Sequence, residues 1–253
     1  FGSIQINVVH PNAGTADDET GLANVTVTRS PRPLETPADL VDIFRGTVNS
    51  RWMIGPGPWM PMGFVKLSPD NEPDNKWKSG YDYTIESVHG FSHIHEWSMA
   101  GLLMMPTTGP LVTTPGAPYR TGGWRSAIDK KTEVARVGYY AVDLLRYSIR
   151  AELTATTRAS LMRYTFPGGP ARVIVSMYVP AEYGAVIDEV KINRVSPTEI
   201  EGYSRQHCRP TRYRGDQYYI VYFVNQFSKP MTSMDGWVGV KTKTGIETLA
   251  GAG

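Results

Sequence analysis

The sequence predicts an all-β protein, a large antiparallel β-sandwich with long loops. Three observations predict it. Apolar and polar residues alternate at period two through the second half of the chain, turn-forming residues punctuate these runs at short intervals, and sustained helical periodicity is scarce.

Taken along the chain, residues 1–33 stand apart as an N-terminal extension or edge hairpin with a linker. Two strand-like runs, Ile4 to Val9 and Val25 to Thr28, are joined by an acidic, Gly-containing loop and closed by Arg29-Ser30-Pro31-Arg32-Pro33. Residues 34–253 form the main domain. It opens on the one helical signal of note, Thr36 as cap, Pro37 at the first helical position and then Ala38 to Ile43, enough for a turn or two. From Arg45 to Tyr119 the chain is rich in Gly, Pro, Trp and Met and sustains neither period, which predicts long loops over a scaffold. Ordering such loops costs conformational entropy, so inside a compact domain they are usually functional, and a site is expected there.

Strand signals then follow closely. Tyr147, Ile149, Ala151, Leu153 and Ala155 share one face, with Ser148, Arg150, Glu152 and Thr154 on the other. Val173, Val175, Met177 and Val179 repeat the pattern. Further strands are expected over Ser160 to Phe166, Ile187 to Ile192, Tyr218 to Phe223 and Trp237 to Val240, with turns at Pro167-Gly168-Gly169, Pro180, Ser196-Pro197 and Arg214-Gly215-Asp216. No internal repeat is visible.

Composition narrows the function classes. With 253 residues and 41% hydrophobic content, the chain is long enough to bury a sizeable core. Its 26 basic and 24 acidic residues nearly balance, so no broad field holds a polyanion and nucleic acid is not an expected partner. No apolar stretch approaches the roughly 20 residues of a membrane-spanning helix. Cys208 is the only cysteine, so it forms no internal disulfide. The chain begins at Phe1 without a leader-like segment, and any export signal is expected either to have been removed or to lie outside this sequence. Fourteen Tyr and six Trp suit sugar binding, because aromatic faces stack on pyranose C–H faces, although ordinary strand packing accounts for most such residues.

One dense cluster carries a resemblance. Pro61-Met62-Gly63-Phe64-Val65-Lys66-Leu67-Ser68-Pro69-Asp70 precedes Trp77-Lys78-Ser79-Gly80-Tyr81-Asp82-Tyr83 and then Gly90-Phe91-Ser92-His93-Ile94-His95. In this order they resemble the amino-terminal domain of glycoside hydrolase family 92, the calcium-dependent exo-α-mannosidases. Val41-Asp42-Ile43-Phe44-Arg45-Gly46-Thr47 is similar to the family's opening motif, and Glu152-Leu153-Thr154-Ala155-Thr156-Thr157-Arg158 with Arg163-Tyr164-Thr165-Phe166-Pro167 to later ones. Gly138-Tyr139-Tyr140, Tyr222-Phe223 and Phe227-Ser228-Lys229-Pro230 extend the likeness, which covers about Leu40 to Val240.

The resemblance implies a β-sandwich joined to a carboxy-terminal (α/α)6 barrel, with α-mannoside glycans bound between them. It implies that the catalytic acid and base, and most ligands of the calcium ion, lie on the barrel, so that a chain ending at Gly253 supplies substrate-binding surface without turnover. It also favours export, to the periplasm, the cell surface or the medium. The alternative is a non-catalytic carbohydrate-binding or structural sandwich.

Trp77 is the leading site residue, stacking on sugar at the edge of an irregular loop that Gly80 and Tyr81 shape; a lid over the core is its bland alternative. His93 and His95 lie two apart, so in an extended segment both face sugar hydroxyls, a metal, or buried structural partners. Glu96 follows His95 directly and would face the other side of a strand, which argues against a local transition-metal site. Trp97 is expected in a distal subsite, and Trp59 in plain packing. Lys78 stands where many family members carry cysteine, and Glu96-Trp97-Ser98-Met99-Ala100-Gly101 replaces a common Leu-Ser-Gly-Thr-Gly, which leaves linkage specificity open.

Overall fold

The computed structural model describes residues 5–8, 25–28, 36–48, 55–71, 80–95, 101–118, 120, 122–177, 185–208, 215–239 and 241–251. The chain divides into two compact units, Phe1–Val41 and Asp42–Gly253. In the first, Gln5–Val8 and Val25–Thr28 pair antiparallel with Gln5 opposite Thr28. A single 3-10 turn, Pro37–Leu40, follows. Asp39 Oδ2 accepts from both the Thr36 N–H at 3.2 Å and the Thr36 hydroxyl at 2.9 Å, so cap and first turn hold each other.

The second unit is an antiparallel β-sandwich, and its described residues contain no α-helix. One four-stranded sheet orders Ser160–Thr165, Ile149–Ala155, Tyr139–Leu144 and Val134–Arg136; it faces a second made of Ala171–Ser176, Leu103–Thr108, Gly90–Ser92 and Ser68–Asp70. Between them lies the main core. Tyr140, Val142, Leu144, Ile149, Ala151 and Leu153 come from the first sheet, and Leu67, Phe91, Leu103, Met105 and Ile174 lie on or beside strands of the second. The strand Ile149–Ala155 behaves as its alternation predicts, burying Ile149, Ala151, Leu153 and Ala155.

A third sheet orders Gln217–Gln226, Glu199–Cys208, Ala185–Ser196 and Thr248–Gly251. Ile187, Ile192 and Ile200 form a smaller core here with Leu102 and Met177, and Val175 packs against it. The second sheet therefore carries apolar residues toward both cores.

That arrangement explains two departures from expectation. Ala171–Ser176 buries Ile174 in one cluster and turns Val175 toward the other, so the Val173, Val175, Met177 face is not its single inner face. Leu103–Thr108, within the stretch expected as loops, is instead a core strand with its first five residues buried. A strand covered on both sides reads as an unbroken apolar run with no alternation to detect. Other strands exceed their expected bounds: Ile187 to Ile192 lies within Ala185–Ser196, and Tyr218 to Phe223 within Gln217–Gln226. The Arg29 to Pro33 linker lies outside the described residues.

Candidate functional site

The loop expected to meet a ligand leaves the strand Ser68–Asp70 and returns at Gly80. Trp77 lies between, and Trp77 and Trp97 are both outside the described residues. The two ends of the loop are tied by Asn71. Its backbone N–H donates to the Gly80 carbonyl at 2.8 Å. Its side-chain amide donates to the Asp82 carbonyl at 2.8 Å and to Ile85 at 3.3 Å, while Oδ1 accepts the Asp82 N–H at 2.8 Å. Arg125 closes the base of the loop by donating from Nη1 to the Asn71 carbonyl at 3.0 Å. Each of these backbone groups would otherwise be an expensive buried orphan.

Gly80 adopts φ +67°, and a Cβ there would lie 2.6 Å from Asp70 Oδ1 and 3.3 Å from His95 Nε2. No other residue fits both that backbone and that space. Beneath it, buried Asp70 and His95 meet at 3.1 Å between Oδ1 and Nε2. His95 Nδ1–H donates to the Lys66 carbonyl at 2.6 Å, and Ser92 Oγ lies 3.1 Å from Nε2. Trp59 packs 5.6 Å from the His95 ring centroid and donates its indole N–H to the Leu67 carbonyl at 3.0 Å. Asp70 Oδ2 and Ser68 Oγ are buried without a hydrogen-bond partner among the described residues.

His93 takes a different direction. Its Nδ1–H donates to the Leu102 carbonyl at 2.7 Å, and Nε2 meets Ser160 Oγ at 2.8 Å, which joins this segment to the edge of the first sheet. Burial holds the ring below the usual histidine range, helped by neighbouring His95 and opposed by the Leu102 bond and by Asp70. The two histidines thus do not converge on one partner. His89 is buried more completely: desolvation pushes it down to about 4, with Asp70 opposing and Arg125 assisting. Arg125 Nη2 donates to His89 Nδ1 at 3.0 Å, which fixes a neutral ring as acceptor.

Tyr81 has no exposed surface. Its hydroxyl donates to Glu133 Oε1 at 2.7 Å, where Tyr140 also donates at 2.7 Å, and Lys130 reaches Glu133 Oε2 at 2.8 Å and the Tyr81 hydroxyl at 3.0 Å. Burial, and then the Glu133 charge, raise both phenols far above the ordinary tyrosine value. Tyr81 therefore supports the loop from below. The outer aromatic is Tyr83, 37% exposed, 5.2 Å from the Phe44 ring, with Lys130 Nζ 4.5 Å from its own ring centroid.

The structure thus brings Gly80, Tyr81 and His95 together with Asp70 at the base of one loop, and sends His93 to the first sheet. Sequence reasoning passed over Asn71, Arg125 and Glu133. Asn71 stands one position beyond the Ser68-Pro69-Asp70 motif, and an Asn two residues before Pro73 is a turn signal. For Arg125 and Glu133 no local pattern announces a partner about 50 residues away. Among the described residues, no group of three or more His, Cys, Asp or Glu side chains is placed to hold a metal ion.

Comparison with known proteins agrees with the fold. The α-mannosidase of family GH92 from Bacteroides thetaiotaomicron superposes with a TM-score of 0.71 at 24% identity, over 87% of this chain and 31% of that one. The same enzyme in complex with mannoimidazole gives 0.68 at 25% identity, over 84% and 30%. Another GH92 family glycosyl hydrolase gives 0.64 at 25%, over 84% and 30%. The chain spans about a third of the length of these enzymes. No curated protein sequence matches. The sequence model of the glycosyl hydrolase family 92 N-terminal domain matches residues 40–252, and the chain belongs to that family.

Proposed function

We propose that this domain supplies one wall of the mannose cleft of an inverting exo-α-mannosidase, completed by a helical barrel. The family match across residues 40–252 is the observation that carries the reading. The residues that flank residues 72–79 add to it: the Asn71 N–H donates to the Gly80 carbonyl and Arg125 to the Asn71 carbonyl, which brings both ends of the stretch that contains Trp77 to one place. In this reading Trp77, Trp97 and the Gly80 backbone meet the sugar. Tyr81 and His95, being buried, act through the loop, and His93 holds the segment to the neighbouring sheet.

Inversion requires one carboxylic acid to protonate the leaving oxygen and a second carboxylate to activate water on the opposite face of the ring. We assign both to the barrel. Calcium takes six to eight oxygen ligands, and we assign most of them to the partner domain. Export to the periplasm, the cell surface or the medium, where glycans are met, completes the proposal.

The test is an α-mannoside hydrolysis assay on this chain alone and expressed together with a family 92 helical barrel. The expected result is no turnover alone, and turnover with the barrel that a calcium chelator abolishes. Trp77→Ala in the pair should lower kcat/KM by about tenfold, the scale of one lost stacking contact. Turnover by the chain alone, or no gain with the barrel, overturns the proposal.

A further inference from the structure

We propose that the contact between His89 and Arg125 is an acid-sensitive joint: a proton on His89 parts the two side chains and opens the backbone around them, while the sheet centred on Ile149–Ala155 stays paired. Three segments meet at this joint. Asn71 follows the strand Ser68–Asp70, Ser87 and His89 lie on the link from Ser87–Val88 to Gly90–Ser92, and Arg125 leads into Ser126–Ala127. Ser87–Val88 and Ser126–Ala127 pair with each other over two residues only, Ser87 opposite Ala127 and Val88 opposite Ser126. So short a ladder is not stable by itself, and side chains decide whether it stays closed.

Arg125 supplies much of that hold. Its Nη1 donates to the Asn71 carbonyl at 3.0 Å and lies 3.4 Å from the Ser87 carbonyl and 3.3 Å from Ser87 Oγ, while Nη2 donates to His89 Nδ1 at 3.0 Å. Backbone groups are bonded at the same place: the His89 N–H donates to the Asp70 carbonyl at 2.9 Å, and the Trp124 indole N–H to the His89 carbonyl at 2.7 Å. The Asn71 and Ser87 oxygens that Arg125 meets do not titrate. The imidazole does.

A guanidinium has donors and no acceptor, so Nδ1 must offer its lone pair, and the ring is neutral with its hydrogen on Nε2. A proton gained by the ring turns Nδ1 into a donor facing a donor. It also sets two cations side by side where His89 is 5% and Arg125 7% exposed. Of the influences on the ring, burial is the largest and opposes the proton, Asp70 on Ser68–Asp70 favours it, and Arg125 opposes it, which together place the folded ring at about 4. Opening the joint lets water reach the ring and returns it toward its ordinary value of 6.5, so the opened joint binds the proton more tightly and acid drives the opening. Ile149–Ala155 pairs over six residues on one side and five on the other, so the two-residue ladder is the cheaper place to open. The joint borders the candidate site through Asn71, whose N–H meets the Gly80 carbonyl, and works the same whatever that site binds.

Amide exchange of the 253-residue chain, read by NMR as protection factors from pH 7 to pH 5, tests the proposal. Protection of the Asn71, His89 and Ile128 amides should fall at least about tenfold over that range, while Ala151 and Leu153 keep theirs. Ile128 belongs with the first group because its N–H donates to the Glu86 carbonyl beside the short ladder. His89→Gln keeps an oxygen for Arg125 and takes up no proton, so protection at the same amides should not change with pH. As a measurement free of substitution, the imidazole nitrogen chemical shifts of the wild type at pH 7 should show His89 protonated on Nε2 alone. Protection that stays constant in the wild type, that falls equally at Ala151 and Leu153, or that falls as far in His89→Gln overturns the proposal, and so does a hydrogen on Nδ1 at pH 7.

Discussion

Asn71 and Asp82 clasp each other through two hydrogen bonds, side-chain amide to backbone carbonyl and backbone N–H to side-chain oxygen, each 2.8 Å long. The Asn71 amide occupies the place of a strand partner and brings together chain segments eleven residues apart. Asn71→Ala leaves the buried Asp82 N–H and the Asp82 and Ile85 carbonyls without that partner and should cost about 2–4 kcal/mol, read from urea unfolding. Asn71→Asp keeps the acceptor and loses the donors, so it should fall between Ala and wild type.

Gly80→Ala strains the backbone at φ +67° and drives a methyl group against Asp70 Oδ1. A loss of about 1–3 kcal/mol is expected in thermal unfolding. If the loop supports a sugar-binding wall, the same change in the barrel-completed enzyme should raise KM more than it lowers kcat, since the reacting carboxylates are assigned elsewhere.

Glu133 accepts from two buried phenols and pairs with Lys130, so truncation strands three donors at once. Glu133→Ala should cost about 3–5 kcal/mol, as expected for breaking a buried pair from one side. Glu133→Gln keeps an oxygen for the phenols and should cost less than half of that. Comparable losses for both variants, measured by chemical denaturation, would show that the charge rather than the acceptor geometry matters.

His89 makes stability depend on pH. Burial places its folded value at about 4, below the ordinary histidine value of about 6.5, so the unfolded chain binds the proton first. Its contribution is complete above about 6.5, declines as pH falls, and is exhausted below about 4, for a total on the order of 3 kcal/mol. His93, also shifted down by burial, adds a loss of the same sign. Urea midpoints measured from pH 7 to pH 4 should fall steeply for wild type and less steeply for His89→Asn, because that variant has no proton to take up there.

Fold class was legible because half-buried strands write their inner faces as alternation: Ile149, Ala151, Leu153 and Ala155 could be assigned one side before any coordinates. Leu103–Thr108 could not, because a strand with both faces covered loses its period. The order of short motifs from Pro61 to His95 marked the region of the candidate site, where the backbone demands particular residues, Gly80 above all.

Local pattern, turn chemistry and motif order thus sufficed for an all-β family 92 N-terminal domain, because each depends on residues close together in the chain. Which of these side chains are committed to the interior was decided by folding alone. His95 turns to Asp70, His93 to Ser160 and Tyr81 to Glu133, over separations of 25, 67 and 52 residues. Pairings so distant are set by the packing of one sheet on another, and neighbours in sequence carry no trace of them.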